Sequence, residues 1–121
     1  MSIRIGLIGA GGIAEVHATA LKEAGSTLVG VCDADPERAR RLAGLYEGAV
    51  AHDSAEDLVA DDSVQAIVVA VPNFLHSSMA VLALKAGRDV LLEKPMATSV
   101  AECDAVLEAR AASDNIVQLG F

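Results

Sequence analysis

The sequence predicts a three-layer α/β domain on a doubly wound, parallel sheet of about six strands. Three observations carry this prediction. Short Val/Ile/Leu-rich runs alternate with segments of helical periodicity along the whole chain. Several of the runs are continuously apolar rather than alternating, as strands covered on both faces are. The first run ends in a glycine cluster that leads directly into a helical pattern. Strand–helix–strand units of roughly 25 to 30 residues suit right-handed parallel crossovers, and the expected strand order is 3-2-1-4-5-6.

The strand runs are residues 3–8, 27–32, a short one at 49–51, then 66–71, 89–92 and 116–119. Ile13, Val16, His17, Ala20, Leu21 and Ala24 recur at helical spacing and are the expected buried stripe of the first helix, with Gly25 as its stop. Asp35-Pro36 supplies an N-cap and a proline at the first helical position, opening a helix expected to bury Ala39, Leu42 and Ala43. Ser54 with Asp57, and Ser99 with Glu102, stand at N-cap and third-position spacing, and the second pair is a full capping box. Gly87 closes the helix that carries Met79, Leu82, Ala83 and Ala86.

A chain of 121 residues with 53% hydrophobic content has the size of one domain and one proper core. Its net charge of −8 argues against nucleic acid or an anionic membrane as a partner. One Tyr, two Phe and no Trp leave no platform for stacking bases. No run approaches the length of a membrane span, and the apolar N-terminal stretch is too soon interrupted by glycines for a signal peptide. Cys32 and Cys103 show no metal-ligand or CxxC spacing and read as two buried free thiols of a reducing compartment. These features together point to a soluble, cytoplasmic protein without a metal site.

The glycine cluster reads Gly9-Ala10-Gly11-Gly12-Ile13-Ala14, a G-x-G-x-x-A pattern between a strand and a helix. In a Rossmann fold the first glycine allows the tight turn and the second lets the backbone approach a pyrophosphate. The small third position lets the helix pack on the strand. The helix N-terminus offers free N–H groups and a partial positive charge to the phosphates, so Gly11, Gly12 and Ile13 are the expected phosphate cradle. Asp33 stands at the end of the second strand run, 24 positions after Gly9, where such a domain places the acid that binds the adenosine ribose. A carboxylate there accepts from two ribose hydroxyls and repels a 2′-phosphate, which favours NAD over NADP; a turn aspartate would read the same way. Arg38 would stack on adenine or tolerate a phosphate, and a solvated helix arginine is an equal reading of it.

Past the fourth strand run stand Val71-Pro72-Asn73-Phe74-Leu75-His76 and then Ala86-Gly87-Arg88-Asp89-Val90-Leu91-Leu92-Glu93-Lys94-Pro95. With these, the whole chain resembles the glucose-fructose oxidoreductase / inositol dehydrogenase / MocA family of nicotinamide-dependent oxidoreductases, down to the closing Val117-Gln118-Leu119-Gly120-Phe121. The Glu93-Lys94-Pro95 tripeptide is the specific part of the resemblance.

The resemblance implies roles for these residues. Val71, Pro72 and Asn73 would lie along the cofactor toward its nicotinamide half, with His76 near the pyrophosphate or nicotinamide ribose. Glu93 and Lys94 would emerge beside the nicotinamide, and Lys94 would assist proton transfer as an alcohol carbon gives up its hydride. Relatives continue for roughly two more domain-lengths into a substrate domain, so a chain of this length is expected to bind the dinucleotide without turnover. The expected function is that of the NAD-binding domain of a sugar or polyol (inositol-like) dehydrogenase; a stand-alone or engineered dinucleotide-binding module is the alternative. An NAD-responsive regulator would need a basic recognition helix, and the sequence has none. A two-fold homodimer is expected, formed through apolar surface around Val117, Leu119, Phe121 and Met96.

Overall fold

The computed structural model describes residues 2–120. Six strands, β1 (Arg4–Ile8), β2 (Thr27–Cys32), β3 (Val50–Ala51), β4 (Ala66–Val69), β5 (Asp89–Leu92) and β6 (Val117–Leu119), form one sheet in the order β3-β2-β1-β4-β5-β6. Every neighbouring pair is parallel. The connecting helices are α1 (Gly12–Glu23), α2 (Pro36–Ala43), α3 (Ala55–Ala60), α4 (His76–Lys85) and α5 (Val100–Ala111). This is the doubly wound Rossmann arrangement that the sequence predicts. Among the described residues no helix is long and apolar enough to cross a membrane.

Strand alternation sorts side chains into two cores. Ile5 and Leu7 of β1, Val31 of β2 and Val68 of β4 pack with Ala14 and Ala18 of α1 and Ala39, Leu42 and Ala43 of α2. Ile8, Ile67, Val69, Val90 and Leu92 face the other way, onto Leu58 and Val59 of α3, Ala80, Ala83 and Leu84 of α4 and Val106 of α5. Leu58 comes so close to the sheet that a Cβ on Gly30 would strike it, and a Cβ on Gly6 would strike Ile67 and crowd Leu58.

The helix ends follow the capping residues. Asp35 accepts from the Glu37 N–H at 3.0 Å, and Ser54 from the Asp57 N–H at 3.0 Å. Ser99 accepts from the Glu102 N–H at 3.1 Å, while the Glu102 carboxylate reaches back to the Thr98 N–H at 3.1 Å. The hydrogen bonds from Thr98, with a smaller one from Ser99, hold the Glu102 carboxyl below its usual range.

Four expectations need correction. The first helix turns Ala14 and Ala18 inward, with Leu21 half-buried, whereas Ile13 is 50% and Val16 62% exposed and Ala20 and Ala24 face solvent. Two alanines four residues apart let the helix sit close to the sheet, which larger side chains would prevent. The fourth strand ends at Val69 rather than Val71, because the chain turns toward Pro72. Cys32 is buried, but Cys103 is only half-buried on α5. Val117 and Leu119 pack against the α4/α5 core rather than forming an open patch, and Met96 joins them there. Phe121 lies outside the described residues.

Candidate functional site

The sheet order reverses beside β1, and the carboxyl ends of β1, β2 and β4 open there into a groove of about 670 Å³. Its wall begins at the glycine loop. Gly9 has φ +111°, and a Cβ there would overlap the Ala70 carbonyl, so only glycine makes this turn. The Gly9 N–H donates to the Cys32 carbonyl at 2.8 Å, tying the loop to the end of β2. A Cβ on Gly11 or Gly12 would meet nothing within 4 Å. Gly11 is the N-cap of helix α1 and supplies no side-chain cap, leaving the first-turn N–H groups without intrahelical partners.

Asp33 is built into this loop. One carboxylate oxygen accepts from the Ala10 N–H at 2.8 Å and the other from the Asp35 N–H at 2.8 Å. A carboxylate has about four lone-pair sites, so capacity for further donors remains. Arg38 stands across from it, 3.7 Å from the Asp35 carboxylate, with both side chains largely exposed. Burial, followed by the nearby Asp33 charge, pushes the Cys32 thiol up to about 12, so this thiol beside the groove stays protonated and inert.

Gly9, Gly11, Ile13, Asp33, Arg38, Val71 and Pro72 line this one groove. Ala10 is fully buried behind the loop and Gly12 points outward from it. Asn73 is exposed and begins a short 3₁₀ turn, Asn73–Leu75, that leads into α4. The sequence reading missed Asp53, Ser54 and Met79, which also line the groove. The position of Asp53 and Ser54 just past the short third strand run, one residue on, was the signal that could have found them.

His76, Glu93 and Lys94 lie outside that lining. His76 is 1% exposed, with Nδ1 2.6 Å from the Pro95 carbonyl and Nε2 2.9 Å from the Val71 carbonyl. It therefore bridges the segments that leave β4 and β5 and does not present its ring to solvent. The Glu93 carboxylate is in contact with His17 Nε2 of α1, a partner the sequence reading placed in an apolar stripe. Lys94 is exposed, precedes a cis peptide bond to Pro95, and makes no hydrogen bond or ion pair among the described residues.

A family model described as an oxidoreductase family with an NAD-binding Rossmann fold matches residues 3–121. The chain belongs to this family, the glucose-fructose oxidoreductase / inositol dehydrogenase / MocA oxidoreductases. An inositol 2-dehydrogenase of Acidothermus cellulolyticus is 39% identical over 99% of this chain, which covers 36% of that protein. A glucose-6-phosphate 3-dehydrogenase of Bacillus subtilis is 36% identical over 98% of the chain and 33% of its own length. Among solved structures, the WlbA dehydrogenase of Bordetella pertussis, in complex with NADH and UDP-GlcNAcA, superposes with a TM-score of 0.88 at 31% identity. That match covers 98% of this chain and 35% of WlbA. The chain thus spans about a third of the length of the family members it matches.

Proposed function

We propose that this chain binds NAD in the groove at the carboxyl ends of β1, β2 and β4, as the nucleotide domain of a sugar- or polyol-oxidising dehydrogenase. The observation that carries the reading is Asp33, a carboxylate fixed by the Ala10 and Asp35 amides on the wall of a groove that begins at an uncapped helix. The residues present fit a dinucleotide. Gly11 and Gly12 leave open space where side chains would block a phosphate, and the α1 N–H groups face it. The Asp33 carboxylate accepts from a ribose diol and opposes a 2′-phosphate, so NAD is preferred to NADP. Val71 and Pro72 supply apolar wall, and Asn73 borders it at the start of the following turn.

Bound NAD supplies a hydride acceptor at C4 of its nicotinamide. The work of the chain is to orient and to manage a proton. Lys94, on the strand end next to the groove's β4 wall, is the residue we assign to a substrate hydroxyl, its Nζ holding that oxygen and taking part in the transfer of its proton. His76 acts as a positioning residue, holding the turn after Lys94 through the Pro95 carbonyl. The alcohol pocket, and the groups that complete the proton path, belong to a substrate domain of the kind implied by the greater length of the relatives. Residence in the cytoplasm is supported by the two free thiols, and a homodimer by apolar surface beside β5 and β6, including Ile3 and Ile116.

Calorimetric titration of the chain with NAD and with NADP tests the reading. Saturable one-to-one heat with NAD, and weaker heat with NADP, is expected. No heat with either nucleotide from folded protein would overturn it.

A further inference from the structure

We infer that His17 is a positioning residue for Lys94 and acts through the Glu93 carboxylate. The inference rests on the reading of Lys94 as the lysine that meets substrate. Helix α1 opens at the glycine loop, and His17 sits in its second turn with its side chain 17% exposed. Glu93 follows the last residue of β5, its side chain 23% exposed, and His17 is its polar side-chain partner among the described residues. The carboxylate lies between α1 and the end of β6, where a Cβ on Gly120 would come within 3.6 Å of Oε2. An imidazole–carboxylate hydrogen bond in so enclosed a place is screened little by water and holds its geometry well.

The consequence follows from where Lys94 stands. Its own side chain has no partner among the described residues, so its neighbours must fix its direction. Glu93 on one side is held by His17 of α1, and the Pro95 carbonyl on the other by His76 of α4. The lysine is thus suspended between two histidine contacts from helices on opposite faces of the sheet. The His17 contact has a second effect. The helix that offers its first turn to a phosphate is the same rigid body that braces the lysine turn. Without His17, the half-buried Glu93 carboxylate loses its partner and turns toward water, and the backbone at Lys94 goes with it.

The test is ¹⁵N relaxation of the ligand-free 121-residue chain. The Lys94 amide should show an order parameter near ~0.85, the value of rigid backbone. In His17→Leu it should fall below ~0.6, the flexible range, while the amides of Val68 and Leu92 stay rigid. His17→Gln, which keeps an N–H donor, should recover most of the order at Lys94. An unchanged Lys94 amide in folded His17→Leu would overturn the inference. Equal loosening of Val68, Leu92 and Lys94 would overturn it too, since that marks a merely structural residue. Should His17→Leu fail to fold, Glu93→Ala carries the same expectation at Lys94, and an unmoved Lys94 amide there is equally fatal. The measurement needs no nucleotide, so failure of the parent chain to bind NAD would sink the proposed function and leave this result readable.

Discussion

The Ala10 amide donates to the Asp33 carboxylate at 2.8 Å, which makes the acid at the end of β2 a member of the glycine loop rather than a bystander across a groove. The other oxygen receives the Asp35 amide at 2.8 Å, so the carboxylate also shapes the entry to α2. Two substitutions separate these duties. Asp33→Asn keeps a carbonyl oxygen for Ala10 but removes the charge. Its NH2 then faces the Asp35 amide, so it should lose some stability, and it should move the NAD/NADP preference by roughly 1–3 kcal/mol toward NADP, the scale of a charge-assisted hydrogen bond. Asp33→Ser should shift the preference similarly and lower the melting temperature further, because the shorter side chain withdraws its acceptor from both the Ala10 and Asp35 amides. Calorimetry with both nucleotides and a thermal melt read the two effects independently; an unmoved ratio in both variants would reduce Asp33 to a turn residue.

The glycines of the loop are expected to fail in different ways. Gly9 holds φ +111° against the Ala70 carbonyl, so Gly9→Ala should destabilise the fold by at least roughly 1–3 kcal/mol, the cost of a side chain in such a conformation. Gly11 has extended backbone, and a side chain there meets open space. Gly11→Val should therefore fold nearly as well as the parent and lose NAD binding, because its methyls occupy the space a phosphate would take. Denaturant titration of both variants, with calorimetry on the second, checks this. Undiminished NAD affinity in folded Gly11→Val would contradict it.

How much of this was legible in the sequence depends on what spacing can encode. The six strands follow from continuous apolar runs and from glycine and proline punctuation, their order follows from the doubly wound fold class those repeats imply, and Asp35, Ser54 and Ser99 mark helix starts where they stand. Periodicity shows which residues share a helical stripe but not which stripe faces the sheet. Ile13 and Val16 are thus exposed while the smaller Ala14 and Ala18 are buried. The Gly9–Gly11 turn and Asp33 were readable because each has a local reason in backbone geometry or position. The pairing of His17 with Glu93 was not, since the two lie 76 positions apart and neither carries a local sign of the other.

The Cys32 thiol gives the fold an alkaline limit. Its value is pushed from the ordinary 9.0 to about 12 by burial and then by the Asp33 charge. Below pH 9 folded and unfolded chains both hold the proton, and the contribution is fully present. Above it the unfolded chain releases a proton that the folded chain keeps, so stability falls by up to ~1.4 kcal/mol per pH unit until the folded thiol ionises. Urea titrations at pH 8 and pH ~10.5 should show a loss in the parent that is smaller in Cys32→Ala by about 2 kcal/mol. The difference between variants isolates this thiol from the other groups that titrate in the same window. Equal losses would show that Cys32 is not the group responsible.

Self-association is the last expectation, and the structure moves its location. Val117 and Leu119 are taken up by the α4/α5 core. On the opposite face, Leu91 and Ile116 line a shallow groove of about 330 Å³ with Ile3, Leu21 and Gln118, and Ile116 is 63% exposed. The last strand, β6, is also an edge of the sheet and offers unpaired donors and acceptors along one side. A patch paired with itself about a two-fold axis covers both features at once. The net charge of −8 opposes this at low ionic strength, but its reach is about 8 Å in physiological salt. Association should therefore strengthen between low salt and ~0.15 M. Ile116→Lys adds a charge to the patch without touching the core and should return the protein to monomer. Sedimentation at micromolar concentration separates the outcomes: a parent chain that runs at 12.4 kDa in both salts would show that this face stands alone in water.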